Sequence, residues 1–290
     1  MITGITDSLL RWGRSREAPR ADSAARAHTL AVCSRKGGVG KTTTAVHVAW
    51  AAAAWHDLQV LLVDLDSQGH VEASLSSVLD PGAVPGEPIS SVLMGKKRDI
   101  MSAATPTRAD GLWVATADRG LGDAEMLLAS RIGREFILRG VLSRAREIFD
   151  LVVIDCPPNL GTMTLNALVA ADSTLVPTDL SPLSLQGIAD LADAVSTVHD
   201  QIGHYVRLAG VLVTRRDGRT RRLNDEIGEK LTDRYGSLLF DTAIPTNSAI
   251  GQACARGVTV FEHSPRSRGA QGYRALTDEL LTRLDIGIGQ

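Results

Sequence analysis

The chain has 290 residues, with 31 Lys and Arg set against 33 Asp and Glu for a formal net charge of −2. Hydrophobic residues at 44% and charged residues at 22% are ordinary for a soluble globular protein, and the length allows one large α/β domain or at most two. A near-neutral balance excludes a polycation that would hold nucleic acid by bulk charge, so any basic surface has to be local.

Residues 1–28 read as an extension rich in Arg, Ala and Ser, with Arg11, Arg14, Arg16, Arg20 and Arg26. Ile5, Leu9, Leu10 and Trp12 have the spacing of a short amphipathic helix. The segment is either a poorly ordered tail or an arm that touches DNA or a partner protein. From residue 29 to 290 a single domain is expected. Strands are predicted at 29–34, 59–64, 112–116, 150–155, 173–177, 208–214 and 240–244. Helices are predicted at 41–55, 70–79, 123–147, 162–170, 184–202, 220–235, 247–256 and 268–284. The runs 60–63 and 151–154 are continuously apolar, as in strands covered on both faces. The alternation predicts an α/β fold, a doubly wound and mostly parallel sheet flanked by helices, with ligands at the carboxyl ends of the strands. Residues 80–110, with four prolines, read as a surface excursion. Cys33, Cys156 and Cys254 form no C-x-x-C, so neither a disulfide framework nor a zinc or iron–sulfur site is suggested. The longest nearly apolar run, 45–55, is too short to span a bilayer, and no secretory segment precedes it; a cytoplasmic location is expected.

The first predicted strand leads into Arg-Lys-Gly-Gly-Val-Gly-Lys-Thr-Thr-Thr at 35–44, followed by a helical run. Strand, glycine loop and helix form the context of a phosphate-cradling loop. Gly37, Gly38, Val39 and Gly40 bring backbone N–H groups to phosphate oxygens, and the helix adds its positive end. Lys41 is placed to reach the β and γ phosphates, Thr42 to put its hydroxyl on Mg²⁺, and Thr43 follows in the same nucleotide-binding turn. The second strand ends in Asp64-Leu65-Asp66-Ser67-Gln68-Gly69. Two carboxylates at i and i+2 of an extended segment point the same way. Beside a nucleotide, one can hold the water shell of Mg²⁺ and the other can orient the attacking water; alternatively the pair satisfies loop N–H groups. The strand 150–155 ends in Asp155-Cys156-Pro157-Pro158-Asn159-Leu160-Gly161, where Asp155 either binds Mg²⁺ through water or caps the next helix.

The loop departs from G-x-x-x-x-G-K-[ST] in one respect: Arg35 stands at the first glycine, and a second lysine, Lys36, precedes Gly37. In this the chain resembles the deviant Walker A loop of ParA/MinD-class ATPases. The resemblance implies that Lys36 reaches across a dimer interface to the partner's ATP. It also implies that Asp66 positions the hydrolytic water, with Asp64 as a supporting active-site carboxylate. Ser67 replaces the family's proline. The 155–161 segment resembles the family's second switch. Ile244-Pro245-Thr246-Asn247 resembles the stretch whose asparagine contacts adenine, although Asn247 also suits a helix N-cap. Residues 265–270 resemble a late structural segment. The matches span 29–284.

The run 214–222 carries five arginines around one Asp. Arginines in a loop and first helical turn can fork onto DNA phosphates, although such a run is also often a solvated face. Arg219 takes the place of the family's DNA-binding arginine, with Arg215, Arg216, Arg221 and Arg222 around it. A second family arginine is absent: Thr246 and Ala249 stand there. The resemblance implies a DNA-partitioning or cargo-positioning ATPase with ATP and Mg²⁺ as cofactors and slow basal turnover. Its implied partners are a second copy of the chain in an ATP-dependent homodimer, non-specific double-stranded DNA, and a ParB-like or cargo-adaptor protein that stimulates hydrolysis. Its implied place is cytoplasmic and nucleoid-associated. The alternative is a MinD-like membrane-associated ATPase. It needs a C-terminal amphipathic anchor, whereas residues 280–290 are broken by glycine and carry little basic charge.

Overall fold

The computed structural model describes residues 26–80, 82, 84, 86–95, 99–216 and 221–287, without the side chains of 182, 183 and 221–225. In chain order the strands are β1 (His28–Val32), β2 (Val60–Asp64), β3 (Thr105–Pro106), β4 (Leu112–Ala115), β5 (Leu151–Asp155), β6 (Ser173–Thr178) and β7 (Arg207–Val213). They form one sheet in the order β3-β4-β2-β5-β1-β6-β7, parallel throughout except for the short β3 at the edge. The helices of the first half are α1 (Lys41–His56), α2 (His70–Leu75), α3 (Ile89–Met94), α4 (Leu121–Leu128), α5 (Ile137–Val141) and α6 (Ala145–Ile148). Those of the second half are α7 (Thr162–Ala170), α8 (Pro182–Ile202), α9 (Arg221–Tyr235), α10 (Ser248–Ala255), α11 (Val260–His263) and α12 (Arg268–Leu284).

The apolar runs feed two cores because side chains alternate across a strand. Leu30, Val32, Val60, Leu62, Leu151 and Val153 face α1, α10 and α12. Ala31, Leu61, Val63, Val152 and Ile154 face α4, α5, α7 and α8. His47 of α1 is buried within the first core. Its ring stacks on Tyr273 of α12 with centroids 4.6 Å apart, and its Nε2 accepts from Val260 N at 3.0 Å. Nδ1 then carries the proton and donates to Thr43 O at 2.7 Å. Burial pushes this imidazole down to about 4, so it is neutral at physiological pH.

Three expectations are corrected. The single helix at 123–147 is broken into α4, a 3₁₀ turn at Arg134–Phe136, α5 and α6. Gly133 at φ 68 separates α4 from the 3₁₀ turn, since a left-handed residue does not continue a helix. Residues 240–244 form no regular strand. Phe240 N and Ile244 N do donate to Val211 O and Val213 O of β7. The intervening amides of Asp241 and Thr242 turn instead to the Glu279 carboxylate at 2.9 and 3.0 Å, which leaves isolated bridges. The excursion at 80–110 contributes to the core: Ile89, Val92 and Leu93 of α3 are buried, and β3 pairs with β4.

Candidate nucleotide site

Parallel strands bring their carboxyl ends to one edge, and the glycine loop and the strand-end acids sit there. The glycine loop follows β1, Asp64 and Asp66 follow β2, and Asp155 ends β5. Asp179 follows β6, and Thr214 to Arg216 follow β7. Register fixes the centre, because Asp155 lies beside Asp64 on one flank and Val32 on the other.

Gly38 and Gly40 adopt φ 73 and φ 83, a region that side chains rarely enter, so the loop turns as its glycines require. Gly40 then caps α1. Lys41 folds back over the loop, its Nζ donating to Lys36 O at 3.2 Å, and it is only 6% exposed. Desolvation lowers its pKa, while the nearby Asp155 and Asp66 carboxylates pull it back up. It is a buried cation facing acids across a gap.

The acids differ in kind. Asp64 is saturated by its own turn: Oδ1 accepts from Asp66 N at 2.9 Å and Oδ2 from Val71 N at 3.3 Å. Burial raises its pKa to about 7, against those bonds. Asp66 accepts from Gln68 N at 3.1 Å through Oδ1. Both acids therefore serve loop N–H groups, the plainer of the two readings. Asp155 is fully buried, and among the described residues neither carboxylate oxygen has a hydrogen-bond partner. Burial first, and Asp64 next, push its pKa well above the ordinary range, while Thr42 and Lys41 pull the other way without bonding geometry to either oxygen. An orphaned buried carboxylate beside a threonine hydroxyl and a lysine fits a cation and a polyphosphate.

Lys36 Nζ donates to Asp179 and to Ser181 of the same chain. The sequence reading missed Asp179. The available signal was an acid directly after the apolar run of β6, at the same sheet edge as the loop. Asn247 caps α10, its side chain accepting from Ala249 N at 2.9 Å. Thr214 Oγ1 bonds to Val39 O at 2.8 Å and so ties the β7 end to the loop.

The arginine run is split. Arg215, at φ 53, turns toward the loop, its Nη1 4.0 Å from where a Cβ on Gly38 would stand. Arg216 is exposed, and its backbone bridges to Ile244 and Thr246. Arg221 and Arg222 begin α9, and Arg219 lies outside the described residues. A cavity of about 420 Å³ opens between α9 and residues 239–243, lined in part by Leu180, Val213, Arg216 and Phe240. It is separate from the glycine loop.

A protein-family model described as an AAA domain matches residues 27–208. The chromosome-partitioning ATPase Soj of Thermus thermophilus is 35% identical over 90% of this chain and 98% of its own length. The chromosome partitioning protein ParA of Myxococcus xanthus is 32% identical over 88% of each. A solved structure titled cobyrinic acid a,c-diamide synthase of Mycobacterium smegmatis, with bound ATP analogue and magnesium, superposes with a TM-score of 0.75. It is 34% identical and covers 89% of this chain and 95% of that one. With the loop, the two strand-end acids and the sheet order in place, these matches show that the chain belongs to the Soj/ParA family of deviant Walker A, P-loop ATPases.

Proposed function

We propose that the chain is an ATP-dependent DNA-partitioning or cargo-positioning ATPase that works as a nucleotide-gated dimer. The observation that carries the nucleotide half is the unpartnered carboxylate of Asp155, buried beside Thr42 and the desolvated Lys41 at the mouth of the glycine loop. Asp155, through water, and the Thr42 hydroxyl hold Mg²⁺. Gly37 to Gly40, Lys41 and Thr43 take the polyphosphate, and Asn247 contacts adenine. The bound ion neutralises charge on the phosphates. Asp66 orients the attacking water, and Asp64 supports it by holding the turn.

Closure of two ATP-bound copies brings each Lys36 to the partner's phosphates. Exposed Met126 and Leu127 of α4 supply apolar area for such a contact, and Glu125 joins α4 to the first turn of α7, just after the second-switch segment, by accepting from Met163 N at 3.2 Å. The dimer places two arginine runs, centred on Arg219 with Arg216, Arg221 and Arg222, on one surface for non-specific double-stranded DNA. Doubling phosphate contacts steepens the salt dependence of binding, which makes ATP a switch for DNA association. A ParB-like or cargo-adaptor protein stimulates a slow basal hydrolysis. The domain is residues 29–290, preceded by the Arg-rich segment, and the working place is the nucleoid.

A membrane surface is the less favoured site. The apolar face of α12 is spent in the core, with Tyr273, Leu276, Leu280, Leu281 and Leu284 buried. Among the described residues no helix is long and apolar enough to cross a membrane.

The test is titration with a fluorescent ATP analogue, with Mg²⁺ and with chelator. Tight binding that requires Mg²⁺, and loses that requirement in Asp155→Asn, is expected. Binding indifferent to Mg²⁺ in the unsubstituted protein contradicts the assignment.

A further inference from the structure

The amine of Lys36 is fully engaged within its own subunit. Nζ donates to Asp179 Oδ1 at 2.7 Å, to Oδ2 at 2.6 Å and to Ser181 Oγ at 2.7 Å. Asp179 is gripped in turn by Ser184, a buried hydroxyl that donates to Oδ1 and lies 3.0 Å from Ser181 Oγ. Burial opposes ionisation of Asp179, but Lys36 and the two hydroxyls outweigh it and hold the carboxyl below its ordinary value. Arg35 repeats the pattern with an ion pair to Asp190 of α8, whose other oxygen accepts from Gln186 at 2.8 Å. Both cations that open the glycine loop are thus tied to residues 179–190.

We propose that Asp179, with Ser181 and Ser184, is a positioning residue that stores Lys36 in its own subunit, and that closure of the ATP dimer must empty this store. The proposal rests on the reading of Lys36 as a group that acts across the dimer. An ammonium has three donors, and Asp179 and Ser181 take all of them, so none is left for a partner's phosphate. The pair is also exchangeable. The side chains of Lys36 and Asp179 remain 28% and 25% exposed, so water screens their attraction, and a polyphosphate can replace the carboxylate. Asp179 thereby sets how much dimer a given ATP concentration supports.

The test uses the full chain in an Asp66→Ala background, where hydrolysis does not drain the dimer. Dimer dissociation constants are measured with ATP by sedimentation or light scattering. Freeing Lys36 favours closure about fivefold per subunit, so Asp179→Asn tightens the two-latch dimer roughly 25-fold. Ser181→Ala, which changes no charge, moves it the same way by a smaller factor. ATP affinity of the monomer, measured below the dimerisation range, separates release of Lys36 from reduced repulsion of the phosphates.

A readout free of nucleotide is the acylation of Lys36 by an N-hydroxysuccinimide ester, followed by peptide mass spectrometry. Asp179→Asn is expected to raise its labelling about fivefold, and Asp179→Glu to restore protection in part. An unchanged or weakened dimer in Asp179→Asn, with the protein folded, overturns the proposal; weakening means that Asp179 presents Lys36 to the partner. Unchanged labelling also overturns it. If the Asp66→Ala parent forms no ATP dimer at any concentration, the dimer reading itself fails, and the storage role falls with it.

Discussion

The two sides of the strand-end edge are built differently. On the side of β1, β2 and β5, polar groups are held by backbone: Asp64 by two amides, Asp66 by one, Lys41 by a loop carbonyl. On the side of β6 and β7, side chains hold side chains, as in Lys36 with Asp179 and Arg35 with Asp190, and these pairs are partly exposed. Backbone bonds persist while the fold persists, whereas partly solvated ion pairs exchange readily. The first region is suited to gripping a ligand in one geometry, and the second to changing partners. The exception on the rigid side is Asp155, whose carboxylate oxygens have no hydrogen-bond partner among the described residues.

Substitutions that remove this contrast should follow a ranked order. The largest effect is expected for Lys41→Ala. Loss of a buried, charge-assisted contact weakens ATP binding by about 3 kcal/mol, roughly 100-fold, as read by calorimetry. Retained affinity would remove Lys41 from the grip.

Protonation of His47, in the first core, comes next. Its folded pKa of about 4 lies below the unfolded value of 6.5, so the unfolded chain binds the proton first as pH falls. Its contribution is complete above pH 6.5 and is lost progressively down to pH 4. At about 1.4 kcal/mol per pH unit the total is on the order of 3 kcal/mol. Denaturant melts of the parent and of His47→Gln should differ in slope across that window and run parallel above it. Parallel curves throughout would show that the imidazole takes up a proton in the folded state.

Asp64→Asn should cost about 1–2 kcal/mol of stability, because a carboxamide offers one acceptor oxygen where the turn into α2 presents two N–H donors. Asp155→Asn should cost none or raise stability, because the orphaned charge goes with it. Equal losses in both would dissolve the distinction between the saturated and the waiting acid. The smallest effect belongs to the rim: Arg216→Ala should leave stability within about 0.5 kcal/mol and lower the salt slope of DNA binding by about one contact per subunit.

Much of the rigid side was legible in sequence. The loop 35–44, the acids after 63 and 154, and the strands that place them follow from apolar runs and local motif, which short stretches of chain encode. The flexible side was less so. Asp179 becomes meaningful only when β6 lies next to β1, a contact across more than 140 residues that no local pattern announces. The irregular course of 240–244 has the same origin, since Glu279 takes its amides from a helix 37 residues away in sequence. The arginine run reads with Arg219 at its centre, and nothing local distinguishes Arg215, whose left-handed backbone turns it toward Gly38.

The most direct measurement is binding of the Asp66→Ala protein to random-sequence duplex DNA with ATP and with ADP, at low and moderate salt. The expected result is binding with ATP alone, falling steeply as salt rises. An ATP-locked dimer that ignores DNA in every condition would contradict a DNA-surface ATPase and direct attention to a protein scaffold or a membrane.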